Sequence, residues 1–219
     1  RFGFENNEYY FKSQKEMKTL FSDIEIQEVI IKYAIGTSKH WSGATVFWQL
    51  DEHQKVRHGK IMLYEIETGK RAKNKDGKGF ISTVRSVMKL KDFNLKQCLF
   101  GLHLINDIDS SKDTIALVES EKTAIICAMH IPEYVWLSYG GINGLTKGKL
   151  SVLKNHKVIL VPDISENAVT IMNKKLPDLL ELGIEAKIWD MTNGKTDEQL
   201  KEEGWYNCDL EDVFRGFKN

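Results

Sequence analysis

The sequence predicts an α/β protein, with a parallel four-stranded sheet covered by helices on both faces and, before it, a smaller α+β subdomain that contains a β-meander. In the second half of the chain, four β-rich runs alternate with three helical segments. This order implies right-handed crossovers and therefore parallel strands. In the first half, stretches of alternating polar and apolar residues are separated by polar turns, as in antiparallel strands. We expect the first domain to span residues 1–106 and the second 107–219, divided at the turn-rich segment 106–113.

The first domain is expected to begin with two helices. Apolar residues recur at helical spacing before and after Ser22-Asp23, and either of these two residues can cap the second helix. From Ala44 onwards, two strand-like stretches are joined by the turn DEHQ, which predicts the meander. Residues 71–80 are predicted to form a flexible loop. Residues 81–90 fit a strand or a helix equally, and residues 94–105 fit a helical turn or a short helix.

The second domain has the more regular pattern. Its β-rich runs are TIALVES, YVWLSYGG, KVILVPD and EAKIWDM. Its helical segments are EKTAIICAMH, a helix around KLSVLKN, and SENAVTIMNKKLPDLLELG. The chain then ends in an acidic tail, residues 197–219, with three Lys and Arg against seven Asp and Glu.

Composition limits the function classes. A chain of 219 residues with 42% hydrophobic residues supports a packed core over disorder. No apolar run approaches the roughly 20 residues of a membrane helix, and the first residues do not resemble an export signal. The three cysteines are widely spaced, which indicates reduced thiols and no disulfide framework. We therefore expect a cytoplasmic protein without membrane contact.

A zero net charge conceals a basic block at residues 54–96, where 12 Lys and Arg stand against 4 Asp and Glu. A segment of this density can neutralise several backbone phosphates of a nucleic acid. A solvated lysine-rich surface explains it equally well, and only clustering in space decides between the two. The nucleic-acid-binding candidates are Arg57, Lys60, Arg71, Lys73, Lys75 and Arg85.

Two carboxylates follow strands of the predicted parallel sheet. Glu119 comes at the end of the first strand and Asp163 at the end of the third. Ligands of open parallel sheets bind beyond the carboxyl ends of the strands, so these acids face one crevice if their strands are neighbours. Two converging carboxylates repel unless they are protonated or bridged by a cation, and Mg²⁺ is the usual bridge. Such an ion also binds substrate phosphates.

The residues around these acids have two interpretations each. Glycines 140, 141 and 144 follow the second strand, and with Lys122 and Lys147 they are candidates for binding phosphate or nucleotide; a tight turn explains the glycines as well. Glu121 and Glu166 are further metal-ligand candidates, although acidic residues also favour helix N-termini. Ser165 is either a weak metal ligand or a helix N-cap. The full set of residues predicted to bind phosphate or nucleotide is Lys122, Gly140, Gly141, Gly144 and Lys147.

Three motifs in this order resemble a toprim domain, the metal-binding module shared by bacterial primases, topoisomerases and some nucleases. ALVESEKTAII resembles its first element, LSYGGINGL its second and VILVPDISENA its third, over about residues 114–191. The resemblance implies that Glu119 matches the family glutamate, that Asp163 matches the first aspartate of an Asp-x-Asp motif, and that these acids hold Mg²⁺ or Mn²⁺ and carry catalysis. The chain departs from the family at Ser165, in place of the second aspartate, and at Thr123, in place of an acidic residue. A metal held by Glu119 and Asp163 alone should bind weakly, unless Glu121 or Glu166 compensates.

The first domain adds to the resemblance. GATVFWQLDEHQKVRHGKIMLYEIETGKR followed by LKDFNLKQCLFGLHLI is similar to the basic subdomain that precedes toprim in bacterial replicative primases. IGTSKHWSGATVFWQLD with VESEKTAI is similar to primase-like toprim proteins of bacterial mobile elements. The resemblance implies Mg²⁺-dependent nucleotidyl transfer on a single-stranded DNA template, in replication or mobilisation of a mobile element. Nucleoside triphosphates and single-stranded DNA would be the ligands, with a replication helicase as a further partner.

Three other functions stay open on the sequence. The chain can be a non-catalytic nucleic-acid-binding toprim module with a degenerate metal site, which would bind single strands without magnesium. It can be a toprim nuclease, which would use the same acids to cut phosphodiesters. An α/β domain for an unrelated small ligand is the third, favoured if the lysines are dispersed in space.

Overall fold

A computed structural model describes residues 21–109, 113–141 and 143–216. The chain divides into two compact units, unit 1 with residues 1–98 and unit 2 with residues 99–219. The boundary expected from the sequence, between residues 106 and 107, lies a short way beyond this division. The first predicted helix falls largely on residues 1–20, outside the described residues.

Unit 1 is built on an antiparallel four-stranded sheet with strand order β1-β2-β3-β4. Its elements are helix α1 (Asp23–Lys32), strands β1 (Ile35–Ser38), β2 (Ala44–Leu50), β3 (Val56–Met62) and β4 (Ile81–Thr83), and the one-turn helix α2 (Val84–Val87). The predicted meander is confirmed as β2 and β3. Of the two capping candidates, Ser22 caps α1, and it forms a capping box with Glu25. The segment 81–90, which fits a strand or a helix on sequence, contains one of each. Thr83 is the last residue of β4, and its side chain caps α2.

The segment between β3 and β4 differs from its prediction as a flexible loop. The chain turns back on itself twice, since the Ala72 amide donates to the Leu63 carbonyl and the Phe80 amide donates to the Ala72 carbonyl. Asn74 Oδ1 fixes the second turn by accepting from the amides of Asp76 and Lys78, at 3.0 and 2.8 Å. We call residues 64–80 the double hairpin. The sequence pattern predicted a flexible loop because the segment is rich in lysine and glycine, but these residues occupy ordered turns.

Unit 2 is built on a parallel sheet with strand order β6-β5-β7-β8, flanked by helices. Its elements are β5 (Thr114–Val118), α3 (Glu121–His130), β6 (Tyr134–Ser138), α4 (Lys147–Leu150), β7 (Lys157–Leu160), α5 (Glu166–Glu181), β8 (Glu185–Ile188), α6 (Asp197–Glu203) and α7 (Leu210–Arg215), with 3₁₀ turns at Leu102–Asp107 and Ser151–Leu153. The predicted fold class is therefore confirmed, with all four parallel strands at the expected runs. Strands β5, β6 and β7 are mostly apolar, as expected where a parallel sheet is buried on both faces. Strand β8 lies at the edge of the sheet, and its sequence EAKI alternates exposed charged residues with half-buried apolar ones.

The strand order places a switch point between β5 and β7. The chain leaves β5 to form β6 on one side, then crosses to form β7 on the other side of β5 and continues outward to β8. Connections leaving β5 and β7 therefore run in opposite directions, which opens a crevice at the carboxyl ends of these two strands. Among the described residues, no helix is long and apolar enough to cross a bilayer.

Candidate metal site at the switch point

Glu119 and Asp163 lie at the two strand ends that border this crevice. Glu119 directly follows β5, and Asp163 comes shortly after β7. The two strands remain paired at this edge, because the Val161 amide donates to the Leu117 carbonyl at 2.9 Å. Both side chains are half-buried. The arrangement that the sequence requires for a shared cation, two acids on neighbouring strands, is therefore present.

The glycine turn after β6 fixes the backbone of Glu119. The amides of Gly140 and Gly141 both donate to the Glu119 carbonyl, at 3.0 and 3.2 Å. Both glycines have positive φ, 78° and 119°, a backbone conformation that residues other than glycine rarely adopt. At Gly144, a Cβ atom would lie 1.8 Å from the Tyr139 carbonyl oxygen, so only glycine fits. The turn has a structural reason for all three glycines, and phosphate binding by them stays a prediction.

Asp163 lies in a strongly acidic environment. Burial, together with the charges of Asp209, Glu119 and Asp212, raises the pKa of its carboxyl to about 7. Tyr139 shares this environment: burial, Glu119 and Asp163 raise the pKa of its phenol, which therefore stays protonated at neutral pH. Besides burial, three carboxylates therefore act on the pKa of Asp163, and the crevice collects negative charge.

Two of these acids, Asp209 and Asp212, come from α7 and were not predicted from the sequence. Asp209 caps α7 and forms a capping box with Asp212. Asp209 Oδ2 accepts a 2.6 Å hydrogen bond from the Thr123 hydroxyl. Thr123 stands where the toprim resemblance expects an acidic residue, so an aspartate 86 positions further along the chain brings a carboxylate to that place. The Asp-x-x-Asp spacing of a capping box was the available signal, but the segment was read only as an acidic tail.

A buried ion pair holds α7 against α3. Lys122 Nζ lies 2.7 Å from Glu211 Oε2, with the two side chains only 14% and 1% exposed. Arg215 contacts the other Glu211 oxygen at 3.3 Å. Burial raises the pKa of Glu211, and the cations of Lys122 and Arg215 oppose that rise. Lys122, predicted to bind phosphate, is therefore engaged in positioning the helix that carries Asp209 and Asp212.

Lys147 is not brought to the acids. Its ammonium group pairs with Glu181 at 2.5 Å and with Asp178 at 3.3 Å, near the C-terminal end of α5. Asp163 precedes the other end of this helix, roughly 20 Å away at 1.5 Å per residue. Lys149 lies nearer than Lys147 to the glycine turn, because its Nζ is 3.4 Å from the Tyr139 carbonyl oxygen. Lys149 is therefore the lysine that the structure brings to the glycine turn.

The remaining metal-ligand candidates have structural roles. Ser165 caps α5, because its hydroxyl accepts from the Ala168 amide at 3.0 Å. Glu166 is exposed in the first turn of α5, and its amide donates to Asp197 Oδ1 at 2.7 Å. Glu121 is buried in the first turn of α3, where its carboxylate packs near Gly140. These placements agree with the helix-start interpretation of all three residues, and metal binding by them stays a prediction.

The nucleic-acid-binding candidates occupy different parts of unit 1. Arg71, Lys73 and Lys75 are exposed on the double hairpin. Arg57, on β3, binds the buried Asp51 carboxylate through Nε and a terminal nitrogen, both at 2.5 Å, so it stabilises the β2–β3 turn. Lys60 and Arg85 are half-buried on β3 and α2. Of the six predicted candidates, the three on the double hairpin are therefore the exposed ones.

The residues present fit a hard divalent cation. Carboxylate oxygens are the ligands that Mg²⁺ prefers, and it is commonly held by one or two of them, with water and substrate phosphates completing its shell. The negative charge of the carboxylates around Asp163 is the charge that such an ion would balance. Within the described ranges 21–109, 113–141 and 143–216, no three Asp, Glu, His or Cys side chains converge to surround a metal by themselves. The fit is therefore to a pair of carboxylates.

Comparison with solved structures gives primase catalytic cores. The zinc-binding and RNA polymerase domains of the Aquifex aeolicus primase match with a TM-score of 0.52 and 14% identity, over 96% of this chain and 60% of that one. The E. coli primase catalytic core matches with a TM-score of 0.54 and 15% identity, over 96% and 80%. The primase fragment of the bacteriophage T7 primase-helicase matches with a TM-score of 0.51 and 15% identity, over 87% and 66%. At these identities the likeness shows a common fold, and this chain spans only 60% of the length of the Aquifex protein.

Comparison with protein sequences gives a family but no curated relative. No curated protein matches the chain. A family model matches residues 13–164, which is more than half of the chain and includes both Glu119 and Asp163. The chain therefore belongs to the family described as Domain of unknown function (DUF6371).

Proposed function

We propose that this chain is the core of a primase-like nucleotidyl transferase that acts on a single-stranded DNA template in the replication or mobilisation of a mobile element. The observation that carries the proposal is the position of Glu119 and Asp163 at the switch point of the β6-β5-β7-β8 sheet, with additional carboxylates beside them. The primase-like fold of both units supports it. A cytoplasmic location and a replication helicase partner belong to the same proposal.

Each unit has its own part in the proposed reaction. The Glu119 and Asp163 carboxylates hold the divalent cation, and Asp209 adds negative charge from the Thr123 side. When bound, magnesium would neutralise triphosphate charge as phosphoryl transfer proceeds. The protonated Tyr139 phenol is a hydrogen-bond donor beside the same acids. In unit 1, the exposed cations of the double hairpin bind template phosphates.

A second candidate is a nucleic-acid-binding module without catalysis. The observation that favours it is the use of Ser165 as a helix cap, where the toprim resemblance expects a second aspartate. This candidate retains the basic surface of unit 1 and needs no cation at Glu119 and Asp163. It differs from the first in one measurable respect, because it should bind single-stranded DNA but synthesise no primer, with or without Mg²⁺.

The test is template-directed primer synthesis by the full-length protein on single-stranded DNA with nucleoside triphosphates and Mg²⁺ or Mn²⁺. We expect Glu119→Ala and Asp163→Ala to lower the rate by about 100-fold or more, the scale of losing a group that stabilises developing charge. DNA binding in EDTA should be unaffected, since the double hairpin is unchanged. Glu133→Ala, which removes an exposed acid from the turn before β6, is the matched control.

A gain-of-function arm sharpens this test. Ser165→Asp retains a good N-cap, because aspartate caps helices as well as serine does, and it adds a carboxylate beside Asp163. We expect it to lower the Mg²⁺ concentration needed for half-maximal synthesis. Unchanged synthesis in both alanine variants would refute the proposal. Magnesium-dependent cutting of plasmid DNA without synthesis would replace it with the nuclease.

A further inference from the structure

A small apolar pocket opens on the sheet of unit 1, away from every residue assigned above except Arg85. Its volume is about 200 Å³. The residues that line it are Trp48, Val56, His58, Gly59, Val84, Arg85, Met88, Leu90 and Phe93. Gly59 leaves space for the Trp48 indole, which lines the pocket. A Cβ atom at residue 59 would lie 2.8 Å from Trp48 Cζ3 and 2.6 Å from Val84 Cγ2. The Trp48 indole can therefore lie directly across β3.

The pocket is surrounded by exposed apolar side chains. Val56 at the start of β3 is 57% exposed, and Met88 and Leu90 after α2 are 48% and 38% exposed. Single exposed apolar residues are ordinary on a protein surface, but three of them around an apolar cavity make it a candidate binding surface. The cavity is smaller than the 300–1,000 Å³ or so of drug-sized sites, so its occupant is about one ring system in size.

Positive charge accompanies the apolar surface. Arg85 lines the pocket, and no Asp or Glu is among the described residues that line it. Lys89 and Lys91 alternate with Met88 and Leu90, and both lysines are exposed. A ligand that suits this surface combines a flat apolar ring with adjacent negative charge. Among macromolecules, a single-stranded nucleic acid has this combination at every residue, and stacking of bases on aromatic side chains is the usual way proteins hold it.

We propose that the pocket formed by Trp48, Val56, Met88, Leu90 and Phe93 receives one unstacked base of a single-stranded nucleic acid, while Arg85, Lys89 and Lys91 contact the flanking phosphates. The inference rests on the proposed function in one respect, that unit 1 binds the template strand. It adds a base-holding contact to the sequence-independent phosphate contacts of the double hairpin. Stacking tolerates any base, so the pocket holds the strand without reading its sequence.

The test is binding of a dye-labelled 12-nucleotide oligothymidine to the full-length protein, followed by fluorescence anisotropy in EDTA over a range of salt concentrations. We expect Phe93→Ser with Met88→Ser and Leu90→Ser to weaken binding roughly 5- to 100-fold, because one base contributes about 1–3 kcal/mol on an aromatic platform. Met88→Ser with Leu90→Ser, which leaves Phe93 in place, should weaken binding by a smaller factor that still exceeds two-fold. The salt dependence should be unchanged, because no phosphate contact is lost. Arg85→Gln should instead reduce the slope of log K against log salt by about one.

The decisive comparison is an oligonucleotide of the same length without bases. The wild type and the Met88→Ser, Leu90→Ser variant should bind it equally, since the pocket then has nothing to hold. Ile24→Ser, at a 71% exposed position on α1, is the control for removal of a surface apolar residue. Binding of the thymidine strand within two-fold of wild type by the pocket variant would overturn the inference, as would an equal loss on the abasic strand. Tighter binding of an acidic apolar peptide than of DNA would overturn it in favour of a protein partner.

This binding test and the primer-synthesis test fail independently. Weak binding by the pocket variant together with no synthesis by the wild type would support the pocket and refute the proposed function. Synthesis by the wild type together with normal binding by the pocket variant would do the reverse.

Discussion

Asp163→Asn is expected to stabilise the protein by about 4 kcal/mol at pH 8 and to have little effect at pH 4. In the folded protein the pKa of Asp163 is raised from 3.8 to about 7, so the folded state binds the Asp163 proton more tightly than the unfolded state does. Wild-type stability should therefore decline between about pH 4 and pH 7, as the carboxylate forms among its acidic neighbours. Asparagine cannot ionise and removes this decline. Urea unfolding at both pH values measures it.

Magnesium supplies the control for this interpretation. At pH 8 the ion should stabilise the wild type, because it balances the charge that burial and Asp209, Glu119 and Asp212 make unfavourable. It should have much less effect at pH 4, where Asp163 is protonated, and little effect on Asp163→Asn at either pH. Lower stability of Asp163→Asn than of wild type at pH 8 would show that the carboxylate is balanced within the protein, contrary to our interpretation.

Lys122→Met is expected to destabilise unit 2 by about 3–5 kcal/mol, the usual cost of removing one partner from a buried ion pair. Glu211 is 1% exposed, and without Lys122 its charge would be left with the longer contact to Arg215 alone. Thermal or urea unfolding of the folded variant measures the loss. Because α7 carries Asp209 and Asp212, we also expect weaker metal binding by this variant.

Two comparisons separate the buried pair from an ordinary surface pair. Combining Lys122→Met with Glu211→Leu should recover much of the stability, because both charges are then removed from the interior. Lys147→Met breaks the exposed contacts with Asp178 and Glu181 and should change stability little. A Lys122→Met variant as stable as Lys147→Met would contradict the positioning role of this pair.

The parallel sheet was predictable because β5, β6 and β7 are mostly apolar runs and the alternation of strands with helices continues to β8. The positions of Glu119 and Asp163 were predictable for the same reason, since an acid that follows a parallel strand lies at the carboxyl edge of the sheet. The antiparallel unit was harder. Strand β1 follows α1 after only two residues, Tyr33 and the left-handed Ala34 with φ of 51°, and nothing in IGTS distinguishes a strand from a loop. The double hairpin was misread because glycine and lysine occur in ordered and flexible turns alike.

The partners of the site residues could not be predicted from composition. Lys122 and Lys147 have the same chemistry in the sequence, yet one is buried against Glu211 and the other is exposed against α5. Asp209 reaches Thr123 only because α7 folds back onto the start of α3. Contacts between residues this far apart in the chain depend on helix packing, which short-range sequence patterns do not encode.

The claim on which the account depends is that Glu119 and Asp163 share one divalent ion. Its most direct test is Mn²⁺ binding, measured by the electron paramagnetic resonance signal of free Mn²⁺, for wild type, Glu119→Gln, Asp163→Asn and the double variant. Because two ligands of one ion are strongly coupled, we expect each single variant to lose most of the affinity and the double variant to lose little more. Undiminished Mn²⁺ affinity in either single variant, or losses that simply add, would contradict a shared ion.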